Sequence, residues 1–321
     1  MGDVMQIIFL LLISIILGWV TKKLGFATVV GQLLAGVIIG PALLGLVHES
    51  HLLHLLSEAG VWLLMYNAGL ETDVGELRQN FRAANAVAVM GVLVPLITFP
   101  MAALWLGYGL THAIFWGIVF AATSISITIA VLSEQNKLGS KVGTVILGAA
   151  VLDDIMALIL VTVFSLFVGG GSLGITSLMP IIIFGLGLLS RQFVFSGQVL
   201  HYTELIGNWS VFPLFFGSIG LAVTFDGIEK TWPIIIVMSL LAVASKFMGA
   251  GLGAKLVKLN RHESRAIGAG MISRGEMALI IAQIGVGAHI LSAGVFSEFV
   301  LVIMIATIVA PLLMRPLFAK I

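Results

Sequence analysis

The chain has 321 residues, of which 60% are hydrophobic and 10% charged, with a net charge of +1 and a mean hydropathy of +1.16. Soluble domains carry about 25% charged residues, so this composition excludes a soluble globule and predicts an all-α polytopic membrane protein. The basic residues sit in short loops and form no nucleic-acid surface. The absence of cysteine removes disulfides, thiolate metal ligands and thiol catalysis together.

In chain order the apolar runs predict eleven spans, near residues 4–20, 27–46, 52–70, 83–105, 113–132, 142–167, 175–189, 205–225, 232–256, 266–288 and 295–318. No basic region precedes the first run and no clear cleavage site follows it, so it is expected to be retained as a span. With the N-terminus outside, thirteen Lys and Arg residues from Lys22 to Lys320, Arg78 among them, fall in inside segments, against Lys230 alone outside. That asymmetry orients the chain and supports an odd number of spans.

The last ten spans divide into five and five, and an odd number per unit makes the second enter the membrane inverted. This gives an extra first span at 1–20, a first repeat at 27–168 and a second at 175–318, with no soluble domain expected. The fourth helices of the two repeats are interrupted, one by Ala122-Thr123-Ser124-Ile125-Ser126 and the other by Ser273-Arg274-Gly275-Glu276. Interrupted apolar segments at matching places in two halves point to a midplane site built from broken helices.

Asp153 and Asp154 lie in the middle of the run at 142–167, and Lys246 lies near the centre of the run at 232–256. One charge at the bilayer centre costs about 2.5–3.5 kcal/mol on insertion scales, so adjacent carboxylates there call for a counter-charge, water or a cation. They read as an ion or proton site. Neighbours on a helix point about 100° apart, so the two serve different purposes. Thr123 and Ser124 read either as ligands or as hydroxyls bonding back to helix carbonyls. Arg274 and Glu276 read as a structural pair holding a broken helix together. His48, His51 and His54 have no firm metal spacing, and Gly169-Gly170-Gly171 reads as a connector.

The segments Gly31-Gln32-Leu33-Leu34-Ala35-Gly36-Val37-Ile38-Ile39-Gly40-Pro41, Ala68-Gly69-Leu70-Glu71-Thr72-Asp73, Thr123-Ser124, Asp153-Asp154, Pro213-Leu214-Phe215-Phe216, Lys246-Phe247-Met248-Gly249 and Ser273-Arg274-Gly275-Glu276 occur in this order over nearly the whole chain. Together they resemble the Kef/Nap-type branch of the monovalent cation/proton antiporters. The resemblance implies a scaffold of spans and a core with crossed, unwound helices that moves against it. It implies that Asp154 binds the cation, Na+ as the metal, or a proton, that Asp153 pairs with Lys246, and that Thr123 and Ser124 sit at the crossover with Ser273, Arg274 and Glu276 in structural or gating places.

The function so implied is secondary active Na+(Li+)/H+ antiport by alternating access, electrogenic if the Asp153–Lys246 pair also exchanges a proton, with no cofactor and no enzymatic activity. K+/H+ antiport, a cation efflux channel and a sodium-coupled organic-acid symporter are the alternatives. The partners are Na+ or Li+, with K+ as the alternative, H+, the lipid bilayer and a homodimeric second copy, and no nucleic acid. The location is the inner (plasma) membrane, multi-pass, with the N-terminus outside and the C-terminus cytoplasmic.

Two features depart from the family. Residues 190–204 stand where roughly two further helices are expected, which puts the scaffold and its dimer contact at risk. Met65-Tyr66-Asn67 precedes Ala68-Gly69 at a place that is normally apolar.

Overall fold

The computed structural model describes residues 2–72, 80–168, 179–193, 195–225 and 228–321, and every regular element among them is an α-helix. The helices are α1 (Asp3–Lys23), α2 (Thr28–Ile39), α3 (His51–Glu71), α4 (Phe81–Trp105), α5 (Leu110–Ala121), α6 (Ser126–Glu134), α7 (Lys141–Val168), α8 (Met179–Ser190), α9 (Ser196–Trp209), α10 (Val211–Leu221), α11 (Ile228–Leu256), α12 (Arg261–Gly270), α13 (Glu276–Gly287) and α14 (Ala293–Phe318). Five of them, α1, α4, α7, α11 and α14, are long and apolar enough to cross a membrane, and α2, α5, α8, α10 and α13 are shorter apolar helices. Asp73, Arg78 and the Gly169-Gly170-Gly171 connector lie outside the described residues.

The two predicted interruptions are breaks in the structure, between α5 and α6 and between α12 and α13. The predicted span at 205–225 is not one helix. It divides at Ser210, where φ is −138° and ψ −82°, into the end of α9 and the whole of α10. Pro213 explains the division: it has no N–H for the Trp209 carbonyl and its ring would strike that carbonyl, whereas it fits the first turn of a new helix. The stretch at 190–204 is therefore not a bare connector, since α9 begins at Ser196.

The helices gather into two compact units, each drawing on both halves of the sequence. The first takes α1, α2, α3, α8, α9, α10 and the start of α14. Here α3 and α8 touch backbone to backbone: a Cβ on Gly69 would lie 2.2 Å from the Phe184 carbonyl oxygen, and one on Gly187 2.1 Å from that of Tyr66. Small residues drive such approaches because lipid supplies no hydrophobic drive between helices. Arg191, just past α8, donates to the carbonyls of Leu70 at 2.7 Å and Glu71 at 3.2 Å, meeting the negative end of α3.

The second unit takes α4 to α7, α11 to α13 and the rest of α14. Phe99 of α4 stacks on Phe120 of α5 with ring centroids 4.2 Å apart. A Cβ on Gly253 would lie 2.3 Å from the Ala86 carbonyl oxygen, so α11 packs on α4 only with glycine there. At the start of α12, Asn260 and Glu263 form a reciprocal capping box with both bonds at 2.9 Å.

Candidate ion-binding site

The site lies wholly within the second unit. Half-helix α5 ends at Ala121 and α12 at Gly270, and the extended residues that follow cross, with the Ser124 N–H donating to the Ser273 carbonyl at 2.9 Å and the Ser273 hydroxyl donating to the Ser124 carbonyl. Two breaks so joined bring four helix ends to one place: the carbonyl ends of α5 and α12 and the amide ends of α6 and α13. Each end carries about half an elementary charge.

Side chains answer these partial charges. Arg274, fully buried, donates to the carbonyls of Phe120 and of Ala122 (3.0 Å) at the negative end of α5, and to the Ala242 carbonyl of α11 at 2.9 Å. Glu276 opens α13, at its positive end, and accepts from the Ser124 hydroxyl at 3.0 Å. Arg274 and Glu276 thus brace the crossing through separate partners, because the orphaned carbonyls of α5 lie within reach of the guanidinium. Thr128 donates to the Gly270 carbonyl at 2.7 Å, and Thr307 of α14 donates to the Arg274 carbonyl. Both hydroxyls escaped the sequence reading. Each is a single Thr in an apolar run, and only its distant carbonyl partner shows what it does.

Beside the crossing, Lys246 of α11 meets Asp153 of α7 with Nζ 2.6 Å from Oδ1, and both side chains are 0% exposed. Lys246 stands in the field of Asp153 foremost and also of Asp154. A Cβ on Gly91 of α4 would lie 3.6 Å from its Nζ, in ordinary contact. Asp154, next along α7, is half-buried. The buried Thr123 hydroxyl and the second Asp153 oxygen have no hydrogen-bond partner among the described residues.

At the break the carbonyls of Phe120, Ala122 and Ser124 accept from Arg274 and Ser273. Asp154, Thr123 and Ser124, the residues expected to hold the ion, carry a carboxylate and two hydroxyls, oxygen chemistry suited to small alkali cations. No group of three His, Cys, Asp or Glu residues suited to a transition metal occurs among the described residues. The charged groups are two cations, Lys246 and Arg274, against three carboxylates, Asp153, Asp154 and Glu276.

Broken helices crossed beside buried titratable groups define a secondary transporter of the membrane. The transmembrane family described as sodium/hydrogen exchanger matches this chain over residues 8–191 and 173–320, and the chain belongs to that family. It is 35% identical to the probable Na(+)/H(+) antiporter GerT of Bacillus cereus, over 92% of this chain and 94% of that protein. It is 32% identical to the Na(+)/H(+)-K(+) antiporter GerN of the same organism (98% and 95%) and 32% identical to a Na(+)/H(+) antiporter of Enterococcus hirae (96% and 96%). The sodium proton antiporter MjNhaP1 from Methanocaldococcus jannaschii, solved at pH 8, shares the fold with a TM-score of 0.69 at 16% identity, over 99% of this chain and 97% of that one.

The three alignments run to 352, 369 and 370 positions against 321 residues, so each relative carries residues opposite which this chain has none. The two blocks of the family match meet at residues 173–191, just before α9.

Proposed function

We propose that this protein exchanges Na+ or Li+ for H+ across the membrane, with Asp154 carrying either the cation or the proton. The observation that carries this reading is the contrast between neighbours on α7. Asp153 is sealed and neutralised by Lys246, whereas Asp154, the next residue, is half-buried. A carboxylate binds a small cation when ionised and loses it when protonated, so each substrate displaces the other. Alternating access follows if Asp154 is exposed in turn to the two sides. The names of the relatives support the substrates, and the GerN name supports K+ as a second cation.

The Lys and Arg distribution supports a plasma-membrane protein with its N-terminus outside and its C-terminus cytoplasmic. A homodimer is part of the reading, weakened where the relatives' extra residues are missing, because fewer helices bury less interface. The role is transport and not catalysis.

Proteoliposomes with an entrapped pH dye test it. Added Na+ or Li+ should shift the internal pH with wild-type protein and fail to do so with Asp154→Asn. Undiminished exchange by that variant contradicts the proposal, and competition by K+ in the same vesicles decides the second cation.

A further inference from the structure

The exchange chemistry makes no use of α9, whose surface is unlike that of any spanning helix. Its 14 residues extend about 21 Å, short of the ~30 Å hydrocarbon core. At about 100° per residue its side chains divide into three sectors. Ser196, Leu200 and Thr203, half-buried, and Gly207, buried, turn toward the first unit, where a Cβ on Gly207 would lie 2.3 Å from the Phe212 ring of α10. His201 and Asn208 are exposed and form a polar sector with half-buried Glu204, and exposed Gln198 and Leu205 lie together on its border with the apolar side. Val199, Tyr202, Ile206 and Trp209 form the third sector, and Tyr202 and Trp209 are 62% and 64% exposed.

A helix bathed in hydrocarbon beyond its protein contacts leaves a polar sector unsolvated, and a helix in water leaves five large apolar side chains bare. Both sectors are satisfied together where acyl chains end and headgroup water begins, the depth that Trp and Tyr favour. Continuity gives the same answer: Ile182, Leu186 and Leu189 are exposed on the apolar helix α8, and exposed Phe193 and Phe195 carry that surface into α9. We propose that α9 is an interfacial helix whose Val199, Tyr202, Ile206 and Trp209 face lies on the headgroup–acyl boundary of the bilayer, with His201 and Asn208 in water. It would close the lipid-facing surface of the first unit.

The test needs no transport assay, so its outcome is independent of the exchange reading. The chain has no cysteine, so single nitroxide labels go on without background at Val199→Cys, Tyr202→Cys, Ile206→Cys and Trp209→Cys, at His201→Cys and Asn208→Cys, and at Leu186→Cys in α8 for comparison. Relaxation by oxygen and by a water-soluble nickel chelate then gives depth in phosphatidylethanolamine–phosphatidylglycerol vesicles. The four apolar sites should lie at one shallow depth, about 5–10 Å below the headgroups, shallower than Leu186, with His201 and Asn208 open to nickel.

Three results overturn the proposal. The first is a steady depth change of about 15 Å from Val199 to Trp209, the mark of a spanning helix. The second is nickel access at every site, the mark of a solvated one. The third is exclusion of both reagents with spin–spin broadening between copies, the mark of a protein partner.

Discussion

At the scale of single residues, the need of Asp153 for a partner was legible because a charge inside an apolar run is expensive, while Lys246 as that partner came from the family resemblance. The carbonyl acceptors of Arg274 were not legible, since a backbone oxygen leaves no trace in a sequence and the distance from Phe120 to Arg274 is set by the fold. Removing one member of a buried pair strands the other charge at a cost of about 3–5 kcal/mol, while replacing both with neutral polar groups costs far less. Asp153→Asn and Lys246→Gln singly should therefore lower the thermal midpoint in detergent markedly, and the double variant should recover most of the loss. Arg274→Lys keeps the charge but not the planar fork that reaches three carbonyls. It should cost about 1.5–3 kcal/mol, the size of a lost hydrogen bond to a charged group, in the same melting experiment.

At the scale of elements, hydropathy located most of the spans and both breaks, because polar residues interrupt otherwise unbroken apolar runs at 122–126 and 273–276. It missed the division at Ser210, where a run that stays apolar is broken by one proline in the first turn of α10. It also missed the close approaches, which depend on which helix lies opposite a glycine. Gly253→Val puts side-chain atoms into the Ala86 backbone and should cost about 1–3 kcal/mol by overpacking, read as a lower midpoint. Gly275→Ala is smaller and more specific. Its Cβ would fall 2.7 Å from Ser124 Cβ and Oγ, pushing away the hydroxyl that bridges to Glu276. Its apparent Na+ affinity, measured in proteoliposomes, should fall while the thermal midpoint changes little.

At the scale of the whole molecule, the spacing of the apolar runs predicts an inverted pair of five-span repeats, and the folded chain gathers into two units that each take helices from both halves. Nothing in a linear pattern reveals which helices will gather, because that depends on glycine contacts and buried bonds made across more than a hundred residues. The charge doublet predicts electrogenic exchange, in which Asp153 takes up a proton when its contact with Lys246 opens and Asp154 takes up the other. Under a potential clamped with valinomycin and K+, wild-type Na+ uptake should follow the voltage, and the double variant Asp153→Asn with Lys246→Gln should carry on slowly without it. The central claim, that one carboxylate holds the cation and the proton by turns, is tested most directly without a membrane. Purified protein in weakly buffered detergent solution should release protons when Na+ is added, seen by a pH dye, and Asp154→Asn should release none though its Asp153–Lys246 pair is intact. Proton release of wild-type size from Asp154→Asn would contradict the account.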